Sequence, residues 1–131
     1  MPELLLDTHV WVRYLKGDLT LPPGIVRAVE KARERGEAYI SVISVWEVAM
    51  LVQKSRLDLS FAVEQWIERA LQLPGIQLLP FSPAIALETV RLPEPMHKDP
   101  ADRILVATAL LEKLQLVTLD KAILRLSLIH I

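Results

Sequence analysis

Leu4-Leu5-Leu6-Asp7-Thr8-His9-Val10 passes from one kind of element to another within seven residues. Three consecutive leucines make a short, continuously apolar run, the pattern of a strand buried on both faces. Over residues 9–16 His9, Val10, Trp11, Val12, Tyr14 and Leu15 follow as a helix, and Gly17 offers its stop. Asp7 stands at the junction. A strand buried on both faces needs helices above and below it, so this stretch predicts a parallel sheet inside an α/β domain.

The rest of the chain keeps the alternation. Pro22-Pro23 precede an amphipathic stretch over 24–35 that Gly36 ends, and Ala38 to Val42 reads as a second strand. Ser44 starts a helix running to Lys54. Ser60 caps another over 61–73, stopped by Pro74-Gly75, so a helical hairpin is expected across 43–73. Ile76 to Leu79 is a third strand. Ser82 and Pro83 open a helix that fades near Arg91, and residues 92–98 form a proline-containing loop. Asp99-Pro100 opens a helix to Lys113, and Gln115 to Leu119 is a fourth strand. Strands alternating with helices imply parallel pairing through right-handed crossovers, hence a three-layer α/β/α domain.

After Asp120 a further helix and a final strand are expected, yet the chain continues only to Leu126-Ser127-Leu128-Ile129-His130-Ile131. This tail reads as a translated sequencing adapter, with an ordinary short apolar strand as the alternative. The expected domain is therefore 1–126, with 127–131 non-native, the scar beginning at 126 or 127.

The 131 residues fit one domain, and 52% hydrophobic content supplies a core. No apolar run reaches the roughly 18–20 residues of a membrane span, and Met1-Pro2-Glu3 carries no basic leader. The absence of cysteine excludes disulfides and thiolate chemistry, and a cytoplasmic protein is the default expectation. Fifteen basic residues against sixteen acidic ones give a net charge of -1. That balance argues against a general nucleic-acid coat, whose affinity comes from neutralising phosphates. An enzyme that uses bound cations escapes the argument.

Four acids mark the turns from strand to helix or the helices themselves: Asp7, Glu47, Asp102 and Asp120. In doubly wound sheets ligands bind outside the carboxyl ends of the strands, and Asp7 and Asp120 follow such ends. Asp99 and Asp102 open a helix that can start on the same edge. Four carboxylates in one cleft repel each other and need a divalent cation, Mg²⁺ or Mn²⁺ by their preference for oxygen. Two such ions would activate water and stabilise a leaving oxygen, so the chain is a candidate metal-dependent enzyme acting on phosphate esters.

Capping competes with that reading. Ser44-Val45-Trp46-Glu47 has the form of a capping box, and Asp99-Pro100-Ala101-Asp102 places Asp99 at the N-cap and Asp102 at N3. Asp7 and Asp120 also suit turn or N-cap positions. The two readings are compatible, because caps on this edge face the cleft.

Four blocks carry a family resemblance. Leu4-Leu5-Leu6-Asp7-Thr8-His9-Val10 resembles the opening of PIN-domain ribonucleases, in the toxin branch called VapC with its Asp-Thr-His strand end. Residues 40–48 resemble that branch's second block, His97 to Ala109 its third, and Leu116-Val117-Thr118-Leu119-Asp120 its fourth. The resemblance implies a PIN-like α/β/α fold with a central parallel sheet, here without its final strand. It implies that Asp7, Glu47 and Asp102 hold Mg²⁺ or Mn²⁺, with Asp120 the fourth acid, Asp99 an accessory acid and Thr118 orienting a carboxylate or water. It further implies endonucleolytic RNA cleavage, a homodimer, and silencing by a cognate antitoxin protein.

His9, His97 and His130 lack ligand spacing and are set aside as metal ligands. Trp11, Trp46 and Trp66 are expected in the core or a dimer interface. Arg103 and Lys121 each neighbour a proposed acid and suit either phosphate or ion pairing. The run Arg27 to Arg35 reads as a solvated helix face. A receiver-like phosphoacceptor would want paired acids after the first strand and an aspartate after the third, where Leu78-Leu79-Pro80-Phe81 has none. A phosphatase of the haloacid-dehalogenase type would want Asp-x-Asp, which Asp7-Thr8-His9 does not supply. A non-catalytic interaction domain whose acids are all caps is the remaining alternative.

Overall fold

A computed structural model of the chain describes residues 2–93 and 99–120. In these, four strands and six helices follow in the order β1 (Leu4–Leu6), α1 (Thr8–Lys16), α2 (Pro23–Glu34), β2 (Ala38–Ser41), α3 (Val42–Gln53), α4 (Val63–Gln72), β3 (Ile76–Leu79), α5 (Pro83–Arg91), α6 (Pro100–Glu112) and β4 (Gln115–Val117). The sheet order is β3-β2-β1-β4, and every pairing is parallel. Leu5 lies beside Tyr39 on one side and Leu116 on the other. The chain winds outward from β1 through β2 to β3, then crosses back to place β4 on the other side of β1. The strand order therefore reverses between β1 and β4, and their carboxyl ends frame a crevice.

The leucine run is buried on both faces, as its pattern implies. Leu4 and Leu6 join Val10, Trp11, Val29, Ala32 and Trp66 in one cluster, formed with α1, α2 and α4. Leu5 points the other way, into a second cluster with Ile85 of α5 and Leu105 and Val106 of α6. Period-two alternation thus sends neighbouring leucines to opposite layers. Each such side chain contributes about 1.5–3 kcal/mol of burial, which pins the register of β1 and so the position of Asp7. Trp11 and Trp66 meet edge to face, with ring centroids 5.0 Å apart.

Three expected boundaries move. The serine that starts α3 is Ser41, not Ser44: Ser41 is extended and its side-chain oxygen accepts from the Ile43 N–H at 3.1 Å. The β2 strand therefore ends one residue early and α3 begins at Val42, so the Ser44–Glu47 capping box does not form. Ser60 does not cap α4, which starts at Val63 with Ala62 at its N-cap. Ser60 instead sits at a positive φ of 67°, its N–H held by Asp58 Oδ1 at 2.8 Å. The last described strand stops at Val117, leaving Thr118, Leu119 and Asp120 as a loop at its carboxyl end. His97, Lys121 and the tail of 126–131 lie outside the described residues, as does any element after Asp120. No helix of the described residues is long and apolar enough to cross a membrane.

The receiver alternative fails on topology as well as on residues. A receiver-type sheet runs 2-1-3-4-5, whereas here β3 lies on the outer edge and β4 adjoins β1.

Candidate active site

The crevice at the carboxyl edge is acidic, and each acid reaches it by a different route. Asp7 occupies the N-cap position of α1, yet its side chain makes no capping bond. The backbone does the holding there: the Asp7 N–H donates to Val117 O and the Trp11 N–H to Asp7 O, both at 2.9 Å. This frees the carboxylate. Asp7 Oδ2 accepts from the Thr118 hydroxyl at 2.5 Å, and the Thr118 oxygen in turn accepts from the Asp120 N–H at 3.0 Å. The loop after β4 is thereby tied to the end of β1.

Glu47 arrives on α3. With the helix starting at Val42, Glu47 lies in its second turn and has no capping role. Its side chain is buried although it is charged at neutral pH in water. Ser44, one turn earlier, is fully buried and accepts from the Thr8 hydroxyl at 2.7 Å. This couples the start of α1 to the start of α3 beneath the carboxylates. Asp102 arrives on the first turn of α6, where Asp99 is the N-cap and its Oδ1 accepts from the Ala101 N–H at 2.9 Å. Asp99 is therefore a cap in fact, as one of its two sequence readings had it.

The acids act on one another electrostatically. Burial pushes the Asp102 carboxyl up to about 8, and Asp7, Asp99, Glu47 and Asp120 each add to the shift by repulsion. The Glu47 carboxyl is also raised, first by burial; the Thr8 hydroxyl and His9 oppose the shift, while Asp99 and Asp7 reinforce it. Two carboxylate oxygens, Asp7 Oδ1 and Glu47 Oε1, are buried without any hydrogen-bond partner. Such atoms cost roughly 1–3 kcal/mol each unless something satisfies them. Among the described residues, no three His, Asp or Glu side chains stand as a ready-made cage for an ion.

The remaining polar residues divide clearly. Arg103 is half-buried and one of its guanidinium nitrogens donates to Thr89 O at 3.2 Å. Trp11 and Trp66 are core, whereas Trp46 is 54% exposed and lies one turn from exposed Val42 on α3. Thr8 and Ser44 were missed as members of the site. Their signal was present: Thr8 adjoins Asp7, and Ser44 precedes Glu47 by three residues, one helical turn.

Comparison with known proteins identifies the family and the fold. The PIN domain family matches residues 4–128. The chain is 31% identical over 121 residues to Ribonuclease VapC22 of Mycobacterium tuberculosis (strain ATCC 25618 / H37Rv), covering 92% of this chain and 89% of that protein. Solved structures share the fold. A toxin-antitoxin complex from Klebsiella pneumoniae aligns over 98% of this chain and 96% of its own, with a TM-score of 0.67 and 23% identity. VapBC2 from Rickettsia felis, bound to a DNA fragment from their promoter, aligns over 96% and 94%, with a TM-score of 0.72 and 18% identity. FitAcB from Neisseria gonorrhoeae aligns over 91% and 88%, with a TM-score of 0.64 and 22% identity. With a match across nearly its whole length and a curated relative above 30% identity, the chain belongs to the PIN-domain family, in its VapC branch.

Proposed function

We propose that this protein is a divalent-metal-dependent endoribonuclease, the toxin of a toxin–antitoxin pair. The observation that carries the reading is the burial of three carboxylates from separate elements, Asp7, Glu47 and Asp102, with Asp7 Oδ1 and Glu47 Oε1 left without a hydrogen-bond partner. Family membership and the likeness to a named ribonuclease support the reaction class. Three buried carboxylates, Asp7 at the end of β1, Glu47 on α3 and Asp102 on α6, have no structural use that simple caps would not serve better.

The donor set suits Mg²⁺ or Mn²⁺. Asp7, Glu47, Asp102 and Asp120 would hold the ion, and the unpartnered Asp7 Oδ1 and Glu47 Oε1 are oxygens such an ion would satisfy. Mg²⁺ keeps several waters and takes only one or two direct carboxylates, so it needs no closed protein cage. When bound, the ion supplies charge neutralisation and acidification of water for in-line attack on phosphorus. The chain's own residues supply order. Thr118 donates to Asp7 Oδ2 and fixes that carboxylate with its other oxygen free of the hydrogen bond. Thr8 and Ser44 lock the base of α1 to α3, so Glu47 is held at a constant depth. Asp99 caps α6 and keeps its first turn, with Asp102, at the edge of the sheet.

The proposed partners are an RNA substrate, a cognate antitoxin and a second copy of this chain, in the cytoplasm. Two solved neighbours, a toxin-antitoxin complex and VapBC2, support the antitoxin. For a homodimer, Val42 and Trp46 offer an exposed apolar stripe on α3.

The test is cleavage of a mixed cellular RNA pool with Mg²⁺ or Mn²⁺, with and without EDTA, by the wild type and Asp7→Asn. Activity is expected only with the metal, and Asp7→Asn is expected to lose at least ~100-fold while melting as a folded protein. Metal-independent cleavage, or full activity in Asp7→Asn, would contradict the reading.

A further inference from the structure

We infer that the groove along the outer side of α1 is a backbone-binding track for single-stranded RNA, leading into the acidic centre past His9. The inference rests on the ribonuclease reading above and assigns it a substrate-binding surface. His9, Arg13 and Lys16 follow at i, i+4 and i+7, so they lie on one side of α1. All three are exposed. From His9 to Lys16 the helix rises about 10 Å, long enough to meet more than one backbone phosphate. Arg56, from the loop after α3, closes the opposite wall of a groove of about 410 Å³.

One end of the groove adjoins the start of α1, where Asp7 stands. His9, which lines the groove, lies two residues after Asp7 on the first turn of α1. Its floor is apolar, built from Val12, Leu51 and Leu57. Cations over an apolar floor suit a strand that presents phosphates on one side and base faces on the other. Lys16 is held in the wall by a bond from Nζ to Asp58 O at 2.9 Å. The one acid among the lining residues is Asp18, whose Oδ1 accepts from the Thr20 N–H and hydroxyl at 2.8 and 2.7 Å and whose single charge offsets only one of the cations Arg13, Lys16 and Arg56. A chain with net charge -1 thus concentrates positive charge on the approach to an acidic cleft. The groove supplies the local phosphate contacts that the overall composition lacks.

The test is binding of a short fluorescein-labelled oligouridylate, followed by anisotropy across a salt series in EDTA, where no metal-dependent cleavage competes. Each lost phosphate contact on a single strand lowers the slope of log affinity against log salt by about 0.7. Arg13→Ala/Arg56→Ala is expected to lower the slope by about 1.4 and weaken binding about tenfold at moderate salt. Arg13→Lys/Arg56→Lys should keep the wild-type slope, because charge carries this effect. Lys31→Ala/Arg35→Ala, at the C-terminal end of α2 near the opposite edge of the sheet, should also leave it unchanged. An unchanged slope in the Arg13/Arg56 alanine pair would overturn the track and leave the groove for an acidic protein segment. So would a wild type that binds no RNA. Salt-dependent binding through the groove without any cleavage would count against the ribonuclease reading alone.

Discussion

Thr118 and Asp7 stand 111 positions apart in the chain, and the threonine hydroxyl donates to the aspartate Oδ2 at 2.5 Å. This bond joins the carboxyl ends of β1 and β4 across the point where strand order reverses. It also leaves Asp7 with one oxygen occupied and one buried and unpartnered. A carboxylate so held can turn only one face to a ligand. Thr118→Val, nearly the same size without the hydroxyl, should cut RNA cleavage about 10–100-fold by releasing Asp7. Thr118→Ser should retain most activity. Equal activity in the valine variant would show that the bond does not position Asp7.

The raised acids give a stability that depends on pH in a defined direction. An unfolded aspartate ionises near 3.9, while buried Asp102 holds its proton to about 8 because burial and four neighbouring acids oppose its charge. Between those values the folded protein binds more protons than the unfolded chain, so stability falls as pH rises. The contribution is complete below about pH 4 and lost by about pH 8. Glu47, also raised, acts in the same sense. Thermal melts in EDTA should show Tm dropping from pH 5 to pH 8, with a shallower drop in Asp102→Asn. Parallel curves for the two proteins would refute the assignment.

Gly75 is the backbone position where the fold is least forgiving. Its φ is +87°, and a Cβ there would lie 2.0 Å from the Arg33 carbonyl oxygen at the end of α2. Arg33 Nε also donates to Pro74 O at 2.9 Å, so the two segments cannot simply part. Gly75→Ala should cost about 2–4 kcal/mol, from the left-handed backbone and the clash together. Urea unfolding measures this directly. A loss below about 0.5 kcal/mol would mean that the turn shifts freely.

The sequence carried much of this architecture because the strands are short and apolar and the stops are Gly and Pro. Leu4-Leu5-Leu6 read as a strand buried on both faces and is one. Gly17 at φ +66° and the Ser82-Pro83 start were equally plain. Ser41 and Ser44 were harder. Both can cap, and only the backbone direction set by the β2 register decides that Ser41 does so while Ser44 is buried under Thr8. That choice changes the reading of Glu47 from a cap to a buried acid. Asp99 at the N-cap and Asp102 in the first turn were legible from the Asp99-Pro100 start, and the Ala101 N–H meets Asp99 Oδ1 as that reading expects. The α1 groove was hidden because its cations are close on the helix surface but interleaved in sequence with core residues, and Arg56 joins them from a distant loop.

The central claim is that carboxylates from separate parts of the chain converge to hold a divalent cation. Calorimetric titration of Mn²⁺ into the wild type and into Asp7→Asn/Asp102→Asn tests it without any assumed substrate. The account predicts binding by the wild type, with protons released because Asp102 must ionise, and its loss in the double variant, which stays folded. Equal binding by both proteins, or none by a folded wild type, would contradict it.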